Sequence, residues 1–259
     1  MANPNDVLTW GRSSRMKPQL APPTVATQVR TLPDGSFGVS PIMTPRHQSC
    51  DEGSYFVTTN PTPQTVLAYG SAGTQASFSD TVAFMQLINT ANPGDPLAPT
   101  VFFDYLKLLQ IGGTAPASTT SVGLVIKLDN GFRASTGGTA TTATPVCANM
   151  NLANVAPVAR LVYYTGAVPT IPAASAAARI VARAMIKGGP TLLLDEYTIQ
   201  AGLSDSPSQG GYLTTVAAYT SRVPAFGVGP GQSATIHLFL PGAATNAFSY
   251  EFEMGHFER

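Results

Sequence analysis

Closely spaced acids are the first place to look for chemistry in this chain. Glu251 and Glu253 stand two residues apart in an alternating run, so as strand residues they share a face. Asp195 and Glu196 are adjacent and point to opposite faces of a strand. A glycosidase needs two carboxyls about 5 to 10 Å apart, one as acid and one as base or nucleophile. It also needs apolar walls around them, and Glu251 and Glu253 fall on the polar side of their run. A hydrolase built on either pair is therefore only the third functional reading.

The other reactive residue types are scattered. His47, His237 and His256 stand far apart, in no metal-type spacing with Cys, Asp or another His. His237 and His256 fall on the last two expected strands, as neighbours across a ladder. Serines abound, but no Gly-x-Ser-x-Gly elbow occurs. Gly137-Gly138 and Gly210-Gly211 lead into neither a Lys nor a helix, so they do not form a phosphate loop. We expect no catalytic residue, no metal and no cofactor. Cys50 and Cys147 are the only cysteines, and free thiols in a reducing compartment are the default for such a pair.

The elements that position these residues alternate with period two. Ile236, Leu238 and Leu240 share one side of a run, followed by Pro241-Gly242; Phe248, Tyr250, Phe252, Met254 and His256 share one side of the next. Val122, Leu124, Ile126 and Leu128 line one face, and Asp129-Asn130-Gly131 predicts a hairpin turn into a return strand at Phe132-Arg133-Ala134. Further strands are expected at 55–59, 65–69, 158–164, 179–187, 191–199 and 214–219. Runs 78–89 and 101–111 also fit a helical stripe, but β-favouring residues and flanking Pro and Gly assign them to strands. The Ser-Thr-Gly-Gly stretch from Ser135 to Thr144 reads as a surface loop. Many short strands, no βαβ alternation and loops long enough to cross between sheets give an all-β, antiparallel β-sandwich, jelly-roll-like, over 54–259.

Residues 1–53 differ. Pro18, Pro22, Pro23, Pro33, Pro41 and Pro45 interrupt every candidate strand, which predicts an extended N-terminal arm. The arm carries the only tryptophan, Trp10, with Arg12, Arg15, Lys17 and Arg30, and we assign partner contact to these five; the alternative is a solvated tail. Only 11% of the 259 residues are charged, against roughly 25% in ordinary soluble domains, and the formal net charge is zero. Weak charge favours association, so either neighbouring subunits cover much of the surface or Thr, Ser and Asn coat a monomer. Without a basic excess, direct nucleic-acid binding is not expected. No run reaches the ~18 apolar residues of a membrane span, and the polar start, Met1 to Asp6, lacks a signal-peptide core, so assembly in a cytoplasm is expected.

Four stretches then carry a resemblance: 103–108 (Phe-Asp-Tyr-Leu-Lys-Leu), 127–133 (Lys-Leu-Asp-Asn-Gly-Phe-Arg), Ser135 to Gly138, and the ending from Ser249 to Arg259. They resemble virion structural proteins of tailed bacteriophages, specifically capsid-associated proteins, over roughly residues 80 to 259. The resemblance implies a non-enzymatic capsid decoration (cement) protein, often a homotrimer, bound to a major capsid protein on the outside of a phage head. The second reading is a carbohydrate- or receptor-binding β-sandwich module, motivated by Tyr163, Tyr164, Tyr197, Tyr212 and Tyr219.

Overall fold

The structure is a computed structural model of the full chain. It describes residues 7–9, 27–29, 49–60, 67–68, 79–112, 122–133, 140–152, 155–164, 171–187, 194–202, 218–239 and 249–259. Among the described residues sixteen strands follow in order: β1 Val7–Thr9, β2 Thr27–Val29, β3 Tyr55–Thr59, β4 Leu67–Ala68, β5 Met85–Asn89, β6 Val101–Gly112, β7 Val122–Asp129 and β8 Ala140–Ala143. Then come β9 Val146–Cys147, β10 Ala159–Tyr164, β11 Arg179–Lys187, β12 Glu196–Ala201, β13 Ala218–Val223, β14 Gly227–Val228, β15 Ser233–Phe239 and β16 Ser249–Glu258. The ambiguous runs at 78–89 and 101–111 both contain strands, β5 and β6.

Two sheets form the body. One runs β11-β7-β15-β5-β10-β8 with every pair antiparallel. The other runs β13-β12-β6-β16-β3-β9, with β14 on β6 and β4 on β16, and only β12–β13 is parallel. Alternating apolar residues from the two sheets face each other. Leu87, Leu124, Ile126, Ile236 and Leu238 come from the first, and Leu106, Leu108, Tyr197, Tyr250, Phe252 and Met254 from the second. Tyr250 lies at its centre, edge-on to Phe84 and Tyr197, with ring centroids 6.2 Å away in each case. Each such side chain contributes about 1.5–3 kcal/mol by leaving water.

Four expectations change. The last two strands do not pair: β15 joins β5 and β7, and β16 joins β3, β4 and β6. His237 and His256 therefore stand in different sheets. Asn130-Gly131 makes no hairpin, because neither residue has the positive φ a tight turn needs and the neighbours of β7 are β11 and β15. Within the expected loop 135–144, Ala140–Ala143 instead forms edge strand β8 on β10, where the backbone ladder and β-favouring Thr suffice. Finally, alternation along 179–187 sets Ile180 and Ala182 on one side, opposite Arg179, but β-bulges interrupt β11, so Ile180 turns outward beside Arg179. In the arm, β1 and β2 form an antiparallel ribbon with Val7 opposite Val29. Residues 49–53 pack on the sandwich: Ser49 is buried and accepts a hydrogen bond from Arg259.

Glycine is required at position 123. It faces Phe239 across the β7–β15 ladder, and a Cβ there would sit 2.3 Å from the ring. We expect Gly123→Ala to lower the unfolding free energy by about 1–3 kcal/mol in urea titration, since the buried ring has to move. An unchanged midpoint would show the ring to be free to shift.

Candidate functional site

The two outer faces of the sandwich are not alike. In the six-stranded sheet, β5 and β15 are buried on both sides. Segments 79–84, 131–133 and 171–175 lie over it, and Ala83 and Ile171 pack on Ile88 and Val162. Arg133 holds this cover in place. Its guanidinium donates to the Asp80 carbonyl and to the Pro172 carbonyl, the latter from Nη2 at 2.9 Å and Nε at 3.1 Å. Its own carbonyl accepts from Gln86 Nε2 at 3.3 Å.

Charges close around it. Lys127 Nζ is 2.9 Å from Asp80 Oδ2, and Arg133 is 3.8 Å from both Asp80 and Asp129. Asp129 accepts from the Ser175 hydroxyl and from its amide at 2.9 Å. Burial alone would raise both acids. For Asp80 the Lys127 hydrogen bond and charge, then Arg133, outweigh burial; for Asp129 the Ser175 bonds do so first, so both carboxyls sit below their ordinary range. His237 borders this cluster and is wholly buried, with Nδ1 2.8 Å from the Val82 carbonyl. Burial first, then nearby Arg133 and Lys127, press its pKa down to about 4 against the pull of the Val82 bond. The ring is neutral at pH 7, and Nδ1 carries the proton it donates to Val82. The sequence missed this cluster; its one legible trace was the Asp129/Arg133 spacing of four.

The eight-stranded sheet shows an open outer face. Cross-strand register places Thr198, Lys107, Glu253 and Thr59 in one row and Glu196, Leu109 and Glu251 in the next. Thr59, Lys107, Leu109, Glu251, Phe252 and Glu253 line a half-open groove of about 220 Å³. Tyr105 donates its phenol hydrogen to Glu253, and Lys107 pairs with Glu196 at 3.1 Å. Among the described residues nothing engages the Glu251 carboxylate. Four residues farther along β16, Phe102 stacks on Phe257 at 5.2 Å and Arg259 lies over that ring at 5.9 Å. The acids line up along one strand face instead of opposing each other across a cleft. The arrangement suits contact with hydroxyls or cations through a carboxylate row beside the Tyr105 phenol.

Other expected residues fall as follows. Asp195 is buried and accepts from Tyr197 at 2.9 Å, whereas Glu196 faces out, as adjacency requires. His256 is buried and stacks on Phe56 at 5.6 Å. Tyr163 and Tyr197 are core residues. Trp10, Arg12, Arg15, Lys17 and Arg30, with His47, Tyr212 and the Pro241-Gly242 turn, lie outside the described residues. Among the described residues no group of three or more His, Cys, Asp or Glu is placed to hold a metal ion. No helix among them is long and apolar enough to cross a membrane.

Two outcomes follow from the covered sheet. Unfolded His237 protonates near pH 6.5 and the folded ring near 4, so the unfolded state binds more protons between those values. Stability is full above about pH 6.5 and falls by about 3 kcal/mol as pH drops toward 4. A His237→Gln variant, which keeps a donor for Val82, flattens that slope in a pH series of thermal melts; an unchanged slope would exclude His237 as its source. Arg133→Met costs about 3 kcal/mol, because it takes the donors from the Asp80 and Pro172 carbonyls and frees the cover, and denaturant titration measures it. Comparison of the chain with family models, curated proteins and solved structures finds no match.

Proposed function

We propose that this chain is a non-enzymatic virion structural protein: a decoration protein that binds the outside of a tailed-bacteriophage head as a homotrimer and stabilises the shell by contact. The observation that carries this reading is the winding of the strands. Eight of them divide as β3-β16-β6-β12 in one sheet and β5-β15-β7-β11 in the other. That order supports a double Greek key, the jelly roll, which recurs in viral capsid and lectin domains. Fold alone does not assign function. The phage context rests on the resemblance carried by residues 103–108, 127–133, 135–138 and 249–259.

Surface features support work by contact. Val146 and Met150 are exposed at the β9 end of one sheet, and Ile180 and Met185 on edge strand β11 of the other. Apolar side chains on sheet edges, in a chain of zero formal charge, favour covering by neighbours. Residues 7–33 hold Arg12, Arg15, Lys17 and Arg30 and no acid. In this reading that segment, with Trp10, reaches the major capsid protein or a neighbouring copy. The virion surface is then the site of action, after assembly in a host cytoplasm.

A second reading, a carbohydrate- or receptor-binding module, draws on the groove beside Tyr105 and Glu253, since acids and aromatic rings together hold sugars. The two separate cleanly. The first expects a trimer at micromolar concentration that binds undecorated phage heads, and at least tenfold weaker binding when Arg12, Arg15 and Lys17 are all changed to Glu. A monomer that ignores heads but is retained on a glycan array would overturn it in favour of the second.

A further inference from the structure

The two cysteines play no part in that reading, yet the backbone brings them together. Residues 49–51 are helical and end in a Schellman cap. The Gly53 amide donates to the Cys50 carbonyl at 3.1 Å, and the Ser54 amide to the Ser49 carbonyl at 2.9 Å. Gly53 takes the left-handed conformation this cap needs, with φ 71°. It also lies tight against the body: a Cβ there would be 2.7 Å from Leu152 Cδ1 and 3.5 Å from Val155 Cγ2.

One residue after the cap, β3 begins. The Tyr55 carbonyl accepts from the Ala148 amide at 3.0 Å, and Phe56 stands opposite Cys147 in the β3–β9 ladder. Two hydrogen-bonded steps, Ser49 to Ser54 and Tyr55 to Ala148, thus tie the chain beside Cys50 to the chain beside Cys147. Cys147 packs with Phe56, Val155 and Leu152, and the last two also contact Gly53. Both thiols are free; Cys147 is buried, and Cys50 is partly exposed. Burial first, then the nearness of Cys147, then Asp51, push the Cys50 thiol above its ordinary range.

We propose that Cys50 and Cys147 form an intramolecular cross-linking site for a small disulfide oxidant of the glutathione class. The exposed Cys50 thiolate attacks one sulfur of the oxidant; a Cys50–glutathione bond forms, the oxidant's S–S bond breaks, and glutathione thiolate leaves. The Cys147 thiolate then attacks Cys50 Sγ and expels the second glutathione thiolate. The protein loses two protons and two electrons, and one disulfide is reduced to two thiols. The difference in burial sets the order, since only Cys50 meets the reagent. The new bond spans 96 intervening residues and pins the root of the arm to edge strand β9. The raised Cys50 pKa slows the first step at neutral pH and speeds it in mild alkali.

The test treats native full-length protein with oxidised glutathione at about pH 8.5 and reads intact mass and linked peptides. We expect a loss of two hydrogens with no lasting adduct, a peptide pair joined through Cys50 and Cys147, and a melting temperature higher by roughly 5–10 °C. Cys147→Ser should stop at a single glutathione adduct on Cys50, and Cys50→Ser should stay unmodified while folded. A wild-type chain that keeps its adduct, carries two adducts, joins to another copy or does not react at all would overturn the proposal. The outcome is independent of binding to any particle, so it stands or falls apart from the functional reading.

Discussion

The β6–β16 ladder is the constraint on which the rest of the molecule depends. Ten residues, Ser249 to Glu258, lie antiparallel to Val101–Gly112. Hydrogen bonds set the register, and alternation then gives each strand two tasks. Inward go Tyr250, Phe252 and Met254 against Leu106 and Leu108, the middle of the core. Outward go Glu251 and Glu253 against Leu109 and Lys107, the floor of the groove. A slip of one residue would place carboxylates between the sheets, where unpaired charge is costly. Core and surface chemistry are thus one choice of register. Polar residues lock it at both ends: Asn60 accepts from the Phe252 amide at 2.9 Å, and Glu258 reaches the other sheet to accept from the Val158 and Ala159 amides, each at 2.9 Å.

The two outer faces divide the remaining work. Over the six-stranded sheet, a buried arginine replaces the apolar layer that a longer loop would need. It serves two carbonyls and two carboxylates, so segments distant in sequence close over Thr235 and His237. Such a network is stabilising only while every member is paired, which makes this side rigid and dependent on ionised Asp80 and Asp129. Among the described residues no segment lies over the outer face of the other sheet. Its outward rows on β12, β6, β16 and β3 are half-exposed, with Lys107, Leu109, Glu251 and Glu253 lining the groove.

Much of this was legible in residue patterns. Period-two runs at 122–128, 158–164, 233–240 and 248–256 marked β7, β10, β15 and β16, because burial on one face leaves a local signal. Pairing did not show, because the ladders join residues as far apart as Tyr55 and Phe257 and alternation does not name the partner. The Asn130-Gly131 dipeptide illustrates the limit: its turn preference is worth little against Arg133, which draws the following residues down onto Asp80 and Pro172 instead of back along β7. The bulges in β11 and opposite Gly255–His256 were equally hidden, since an extra residue in a strand leaves no mark in its composition. Carboxylates were found by spacing. The buried cluster of Asp80, Lys127, Arg133 and His237 was not, since its members meet only after the loops fold over.

The late position of β16 in the sequence has a consequence for biosynthesis. Residues 113–248 must be made after β6 and before its central partner exists. At 5–20 residues per second that interval is on the order of ten seconds. Throughout it, one edge of a twelve-residue apolar strand has no native mate. Closure of the sheet therefore waits on contacts about 150 residues apart, a high contact order that slows folding.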